Sequence, residues 1–219
     1  LQQLTDAKQA LNGNNNVQNA KNEAIQAIEN ASELNQAQKE ALKQQVDLAT
    51  TVDKVNGIKQ TTQDLNQAMA DLKQGIANHD QVITNGNYLN ADQDKQSAYS
   101  DAVNHAQQII NGTPNAIVNP QEVTQALQQV TQTKGELNGD QNLQTAQQNA
   151  TTMIDQLPNL NTPQKEALKQ QVTQAGLVPD VDRVKQTAND LNTAMGNLKQ
   201  QLQANSQVPQ SIDYTQADN

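Results

Sequence analysis

Whole classes of side chain are missing from this 219-residue chain. It has no cysteine, tryptophan or phenylalanine, and its aromatic residues are three tyrosines, Tyr88, Tyr99 and Tyr214. Without cysteine, neither a disulfide framework nor a thiolate metal site can form. Hydrophobic residues make up 34% of the chain, against about 45–50% in ordinary globular domains. We therefore expect several thin cores of Ala, Leu, Ile and Val.

Basic residues are also scarce. The chain carries 14 Lys and Arg against 23 Asp and Glu, a net charge of −9, whereas nucleic-acid binding requires a basic face. No apolar run approaches the roughly 20 residues that cross a bilayer. We expect no nucleic-acid partner and no membrane-spanning segment here.

Glutamine and asparagine are abundant, at 67 of 219 residues. They alternate with apolar residues at helical spacing, and the helix-favouring residues Ala, Leu, Gln and Lys dominate. This pattern favours helices over a disordered, prion-like chain.

The chain is an internal repeat. The octapeptide KEALKQQV occupies residues 39–46 and returns unchanged at 165–172. At this offset, about 43 of the 93 pairs formed by residues 1–93 and 127–219 are identical, without a gap. The chain is thus expected to hold about one and three-quarter copies of a single unit. Since both ends cut through a copy, we expect an excerpt from a longer array.

Several polar residues mark expected helix starts. Asn35 with Gln38 predicts a capping box, as does Asn119 with Glu122. Apolar residues at steps of three and four predict helices over about 17–31, 35–48, 51–83, 90–110 and 119–137.

Thr51 is the expected cap of the third helix. In the second copy, Thr162 is the expected cap of the middle helix, with Pro163 at the first helical position. Gly13 and Gly139 are expected to end helices, because glycine takes the left-handed conformation that helix ends favour.

The third helix is expected to be long. The residues along one face of this helix follow heptad spacing and form a seam. The nine residues of the seam are Val55, Ile58, Thr62, Leu65, Met69, Leu72, Ile76, His79 and Ile83. A three-helix bundle needs only the first half, so we expect the part after about residue 72 to belong to a second bundle. One continuous helix of about 30 residues, or about 45 Å, would be shared.

Two sets of motifs resemble known surface modules. The runs NAKNEAI at 19–25 and TVDKVNGIK at 51–59 resemble the GA module of Gram-positive surface proteins. The runs SAYSDAV at 97–103 and IING at 109–112 resemble the FIVAR module. Alternation of the two with this period is similar to the giant staphylococcal extracellular matrix-binding proteins, and the resemblance covers essentially the whole chain.

The expected fold is all-α, with tandem three-helix bundles of two alternating types joined by the long shared helix into an elongated rod. The expected segments are the end of a FIVAR-like bundle (1–13), a GA-like bundle (14–72), a FIVAR-like bundle (73–139), a second GA-like bundle (140–198) and the start of another FIVAR-like bundle (199–219).

The resemblance implies a monomeric, non-enzymatic stalk or adhesin on the bacterial surface, anchored to wall or membrane outside this segment. It implies fibronectin or another matrix protein as partner; a purely structural wall-spanning role and an albumin-binding module are the alternatives. Some GA modules bind albumin through aromatic residues near the second helix. Residues 35–39 and 161–165 contain no aromatic, so albumin binding is not expected.

No residue combination predicts catalysis, a cofactor or a metal ion. His79 and His105 are expected to be structural or solvent-facing, because a catalytic histidine needs a nucleophile or carboxylate partner in a pocket. Asp80 is adjacent to His79 in sequence and does not share its helix face. Asp92, Asp94 and Asp101 lie within a helical pattern and lack the glycine and closing glutamate of a calcium loop.

Two features remain open as ligand contacts. Lys39, Glu40 and Lys43 form either a solvated helix face, which we favour, or a ligand face. Tyr88 and its equivalent Tyr214 are expected to pack across the joint after the long helix, with a ligand contact as the alternative.

Overall fold

The computed structural model describes residues 4–5, 11 and 13–216, apart from the side chains of Ile212 and Tyr214. Within these ranges it contains helices and no β-strand, and the all-α prediction is confirmed. The helices are α1 (Gly13–Asn30), α2 (Gln36–Leu48), α3 (Val52–Ile76), α4 (His79–Ile83), α5 (Gly86–Leu89), α6 (Gln93–Asn111), α7 (Pro120–Gly135), α8 (Gly139–Gln156), α9 (Thr162–Gln174), α10 (Val178–Ala204) and α11 (Ile212–Thr215), with a 3₁₀ turn at Val208–Gln210.

The helices belong to two compact units. Unit 1 runs to Ile83 and resumes over Gln93–Leu137, whereas unit 2 contains Thr84–Asp92 and continues from Asn138. The chain therefore passes between the units three times, after residues 83, 92 and 137. The division into bundles at residues 72 and 139 stays a prediction.

In unit 1, α3 is the shared element. It packs against α1 and α2, which precede it in the sequence, and against α6 and α7, which follow it. Val55, Leu65, Met69 and Leu72 are all fully buried along it. Burial that recurs from the first turn of α3 to Leu72 is what the heptad seam predicts.

The predicted continuity of this helix to residue 83 is wrong. Helix α3 has 25 residues, or about 38 Å at 1.5 Å per residue. The Ala77 N–H bonds to the Gln74 carbonyl, and the Asn78 carbonyl accepts from Gln81 and Val82, which starts α4 as a separate helix. The apolar spacing misses the break because it continues in register through His79 and Ile83.

In unit 2, α8, α9 and α10 pack together as a three-helix bundle, and α5 packs against α8. Among the described residues of unit 2, one buried core cluster is made of aliphatic side chains: Ala150, Ile154, Leu160, Leu168, Val172, Val181 and Ala188. This composition is the aliphatic one that the sequence predicts.

Two helix starts confirm the sequence signals. The Asn35 side chain accepts from the Gln38 N–H at 2.9 Å and the Gln38 side chain accepts from the Asn35 N–H at 3.0 Å, a complete capping box. The Thr51 hydroxyl accepts from the Lys54 N–H at 3.3 Å. These bonds satisfy N–H groups that have no partner within the first helical turn.

Two other starts differ from the prediction. Asn161, not Thr162, caps α9, and it forms the reciprocal box with Gln164. Asn119 accepts from the Gln121 N–H, while its own side-chain amide donates to Glu122 at 3.2 Å, so the expected box with Glu122 does not form. In both cases an asparagine directly before the helix is the N-cap and accepts an N–H of the first turn.

The expectation for Gly13 and Gly139 is wrong. Each begins a helix, and Gly112 is the glycine with a positive φ, 72°, among the described residues. Gly139 is buried because backbone passes directly over it: a Cβ there would meet the carbonyl oxygen of Asn87 and lie 2.8 Å from the Ala91 nitrogen. The close approach of the backbone at Asn87 and Ala91 explains why residue 139 is a glycine.

Candidate functional surface

The repeated octapeptide forms the middle helix of the first GA-like bundle. Leu42 and Val46 are fully buried on α2. Lys39 Nζ donates to the Glu29 carbonyl at 3.0 Å, and Lys43 Nζ lies 3.1 Å from the Glu29 carboxylate. Both lysines therefore contact the last turn of α1, where a cation offsets the partial negative charge of the helix end.

The second copy repeats these contacts with a shorter acid. Lys165 Nζ donates to the Asp155 carbonyl at 2.8 Å, and Lys169 Nζ lies 2.8 Å from the Asp155 carboxylate. The lysines of the octapeptide thus join two helices within each bundle. This contact gives their recurrence a structural reason, and a ligand role for Lys39, Glu40 and Lys43 stays a hypothesis.

A groove recurs beside the octapeptide in both copies. In unit 1 it measures about 470 Å³ between α2 and α3, and its lining includes Leu48, Lys54 and Gly57. In unit 2 the equivalent groove measures about 430 Å³, with Gln174 and Asp180 at the corresponding positions of Leu48 and Lys54. Leu48 is 81% exposed. The same recess is therefore apolar in one copy and polar in the other.

The histidines lie on different elements. His79 is half-buried in α4 and its Nδ1 lies 3.4 Å from the Tyr99 hydroxyl, whereas His105 is exposed on α6. Among the described residues, no group of three or more His, Asp or Glu side chains is placed to hold a metal ion. In the same part of the chain, no helix is long and apolar enough to cross a membrane.

The three tyrosines differ in burial. Tyr99 is 1% exposed in unit 1, and its ring centroid lies 5.6 Å from that of His79. Tyr88 is half-buried on α5 in unit 2. The side chain of Tyr214 lies outside the described residues. Packing of the Tyr88 and Tyr214 pair across a joint therefore stays a prediction.

An amide-rich network ties residues 84–92 to the rest of unit 2. We call this segment the clasp. Asn87 Oδ1 accepts from the Asp140 N–H at 3.0 Å, and Asn138 Oδ1 accepts from the Asp92 N–H at 3.1 Å. Asn142 Nδ2 donates to the Asp92 carboxylate at 2.9 Å. The sequence pattern placed a joint before residue 90 and began the next helix there, whereas that helix, α6, begins at Gln93. The density of asparagines was the available signal for the network.

Family models account for nearly all of the chain. The GA module matches residues 14–68 and 140–194, and the FIVAR domain matches residues 68–138 and 194–219. The chain belongs to the GA and FIVAR module family. The FIVAR match over 68–138 includes the clasp, which folds with the second GA module in unit 2.

Similarity to staphylococcal proteins extends over the whole of this chain. The GA and FIVAR chain is 67% identical over 218 residues to the extracellular matrix-binding protein EbhA of Staphylococcus aureus strain Newman, and 68% identical to the extracellular matrix-binding protein ebh of strain JH9. Both alignments include 100% of this chain. The chain spans only 6% and 2% of the lengths of those relatives.

Solved structures agree with the fold. A crystal structure of the 756–1003 domain of EbhA from S. aureus has a TM-score of 0.79 at 41% identity, covering 85% of this chain and 77% of that one. A second structure, from work on Embp-mediated adherence of Staphylococcus epidermidis to fibronectin, has a TM-score of 0.53 at 29% identity and covers 57% of this chain and 98% of that one. The alternating GA and FIVAR modules therefore share their helical architecture with these repeats.

Proposed function

We propose that this chain is a non-enzymatic repeat segment of a bacterial surface adhesin that binds a host matrix protein, with fibronectin as the first partner to test. The observation that carries the proposal is the 67% identity, over the full chain, to a protein named for matrix binding. The second support is the solved Embp structure, which comes from work on adherence to fibronectin.

Weak contacts suit such a repeat. Linked copies raise the effective concentration of each binding surface, so a long array gains avidity without any single strong site. The described surface is consistent with this, because its recesses are open and lined by amides, aliphatic groups and one or two charged side chains each. No catalytic step or cofactor is needed.

The Leu48 groove is the contact surface we assign to the first GA module. A large aliphatic side chain that is 81% exposed beside a groove of about 470 Å³ offers apolar area to a partner. Glutamine occupies the equivalent position, Gln174, in the second copy. Leu48→Gln is therefore a substitution that the fold already accepts.

The test is titration of the whole chain against immobilised fibronectin. We expect a dissociation constant on the order of micromolar, as for a weak, transient interface, and at least a threefold loss of affinity in Leu48→Gln. The matched control is Gln174→Leu, which should keep or increase the affinity. Absence of binding to fibronectin at chain concentrations up to about 100-fold above the expected micromolar dissociation constant, at about physiological salt, would sink the fibronectin proposal.

Albumin serves as the comparison ligand. The starts of α2 and α9 carry no aromatic residue or arginine, and such residues dominate interface hot spots. We expect albumin to bind far more weakly than fibronectin. Albumin binding as tight as fibronectin binding would instead favour the albumin-module alternative.

A spacer role is the second candidate. It is favoured by the lysines of the octapeptide, since Lys39, Lys43, Lys165 and Lys169 all contact the neighbouring helix of their own bundle. A spacer needs stable modules and no ligand. Failure of the chain to bind any matrix protein, with both units folded, is the result that this role predicts.

A further inference from the structure

Helix α10, the third helix of the second GA module, lacks a cap of its own. Leu177 occupies the N-cap position and its side chain makes no capping bond. Pro179 has no N–H, so the Val178 N–H is the first donor of the turn that needs an outside acceptor. The first copy differs, because Thr51 stands at the position of Leu177 and caps α3 itself.

Asn90, from the clasp, supplies the missing partner. Its Oδ1 accepts from the Val178 N–H at 2.8 Å, and its Nδ2 donates to the Gly176 carbonyl at 3.1 Å. One amide thus bonds to backbone on both sides of Leu177. Asn90 is only 7% exposed, so these bonds replace water that the buried amide cannot reach.

The clasp is itself held in place, which positions Asn90. Asn142 Nδ2 donates to the Asn90 carbonyl at 3.0 Å. Asn87 accepts from the first turn of α8 through the Asp140 N–H. The absence of a side chain on Gly139 allows the clasp backbone to pass directly over the start of α8.

We propose that Asn90 supplies the capping bond that Leu177, the N-cap residue of α10, does not make, so that a residue within the FIVAR match completes the third helix of the following GA module. The surface that Asn90 contacts lies at one end of the bundle and is formed by Gly176, Val178 and Asn142. The partner of this surface is the clasp, a backbone turn that presents an asparagine. The GA module 140–194 is therefore not self-sufficient: its stability depends on the clasp. This dependence is separate from any ligand that the chain binds.

The test uses the whole chain with Asn90→Ala. We expect amide hydrogen exchange at Val178 to become roughly five- to tenfold faster, the effect of losing one N-cap. We also expect the unfolding midpoint of unit 2 to fall by about 4–8 °C, with unit 1 unchanged. The control Gln148→Ala removes an exposed amide from α8 of the same unit, outside the recess that Asn90 and Val178 line, and should leave exchange at Val178 unchanged without lowering the midpoint.

Rescue distinguishes capping from general support. Leu177→Thr introduces the residue type that caps α3 in the first copy. In the Asn90→Ala background, it should reverse at least half of the fall in the unfolding midpoint of unit 2. Asn90→Asp keeps the acceptor for Val178 and loses the donor to Gly176, so it should protect Val178 even if Asn90→Ala fails to fold. Unchanged exchange at Val178 in Asn90→Ala, no rescue by Leu177→Thr, or loss of Val178 protection in Asn90→Asp would each overturn the proposal.

Discussion

Gln38 shows how one residue of the repeat has different surroundings in its two copies. Its side chain closes the capping box of α2, and its Nε2 also donates to the Ile117 carbonyl at 2.7 Å. Gln38 is fully buried. Gln164, its equivalent, closes the same box at 2.9 Å but is only half-buried in unit 2. The residue is therefore a cap in both copies, and in unit 1 it also joins α2 to the loop before α7.

We predict that Gln38→Ala lowers the free energy of unfolding of unit 1 by about 1–3 kcal/mol, because it leaves the Ile117 carbonyl without this donor. Gln164→Ala should cost unit 2 about 1 kcal/mol or less, since it loses only the capping contact. Native-state hydrogen exchange, resolved by residue, measures both units in one sample. Equal losses in the two variants would show that the bond to Ile117 adds nothing.

At the scale of elements, the two glycines that begin α1 and α8 make a matched pair. A Cβ on Gly139 would lie 2.7 Å from the Asn87 carbonyl carbon and 2.8 Å from the Ala91 nitrogen, both backbone atoms. A Cβ on Gly13 meets nothing within 4 Å. The repeat thus keeps glycine at both positions, while a close contact between the clasp and α8 requires it at Gly139.

We predict opposite outcomes for alanine at these positions. Gly139→Ala should destabilise unit 2 by about 1–3 kcal/mol, because backbone must move to admit the methyl group. Gly13→Ala should stabilise α1 by about 0.5–1 kcal/mol, since alanine loses less conformational entropy in a helix. Chemical denaturation followed by residue-resolved exchange gives both values. Destabilisation by Gly13→Ala would contradict the open surroundings of that position.

Local signals in the sequence predicted most of the helices. The capping box at Asn35 and the cap at Thr51 depend on residues within four positions, and apolar spacing depends on one helix face. Such features are complete within a short window. The sharing of α3 followed from the length of its seam, because a seam longer than one bundle must be covered by a second.

Long-range polar contacts were not predictable in the same way. The bonds from Asn90 cross 86 and 88 positions, and nothing near Asn90 indicates its partner. A signal did exist at the other end: Leu177 stands where Thr51 caps the first copy, and a helix start without a cap needs an acceptor from elsewhere. The break after Ile76 was missed because the seam continues across it.

For the whole molecule, low pH is expected to affect the stability of the two repeat copies differently. In unit 1, a hydrogen bond from Lys73, a second from Ser32 and the charge of Lys73 hold the pKa of Glu33 below its ordinary value of 4.5. Lys73 Nζ lies 3.2 Å from the Glu33 carboxylate. In unit 2 the equivalent residue is Asn159, whose N–H donates to Asn192 Oδ1 at 2.9 Å. The second copy has an amide in place of the acid.

We predict a small loss of stability that is specific to unit 1 at low pH. Because the folded-state pKa of Glu33 is lowered, its contribution is present above the unfolded-state pKa and is lost as pH falls from about 4.5 through the folded value. A carboxyl NMR titration should find Glu33 below its ordinary pKa. Lys73→Met should return that pKa towards 4.5, whereas Lys199→Met in unit 2 should leave it unchanged.

The contact between the clasp and α10 also affects the order in which parts of the chain fold during synthesis. Asn90 and Val178 are 88 positions apart, so a ribosome that adds about 5–20 residues per second separates them by about 4–18 s. Leu137, the last residue of unit 1, is made between them. Unit 1 can thus fold while Asn90 still lacks the helix that it caps. The bond between Asn90 and Val178 forms only when most of the second GA module has been made, so a translational pause between residues 138 and 178 leaves Asn90 without this partner.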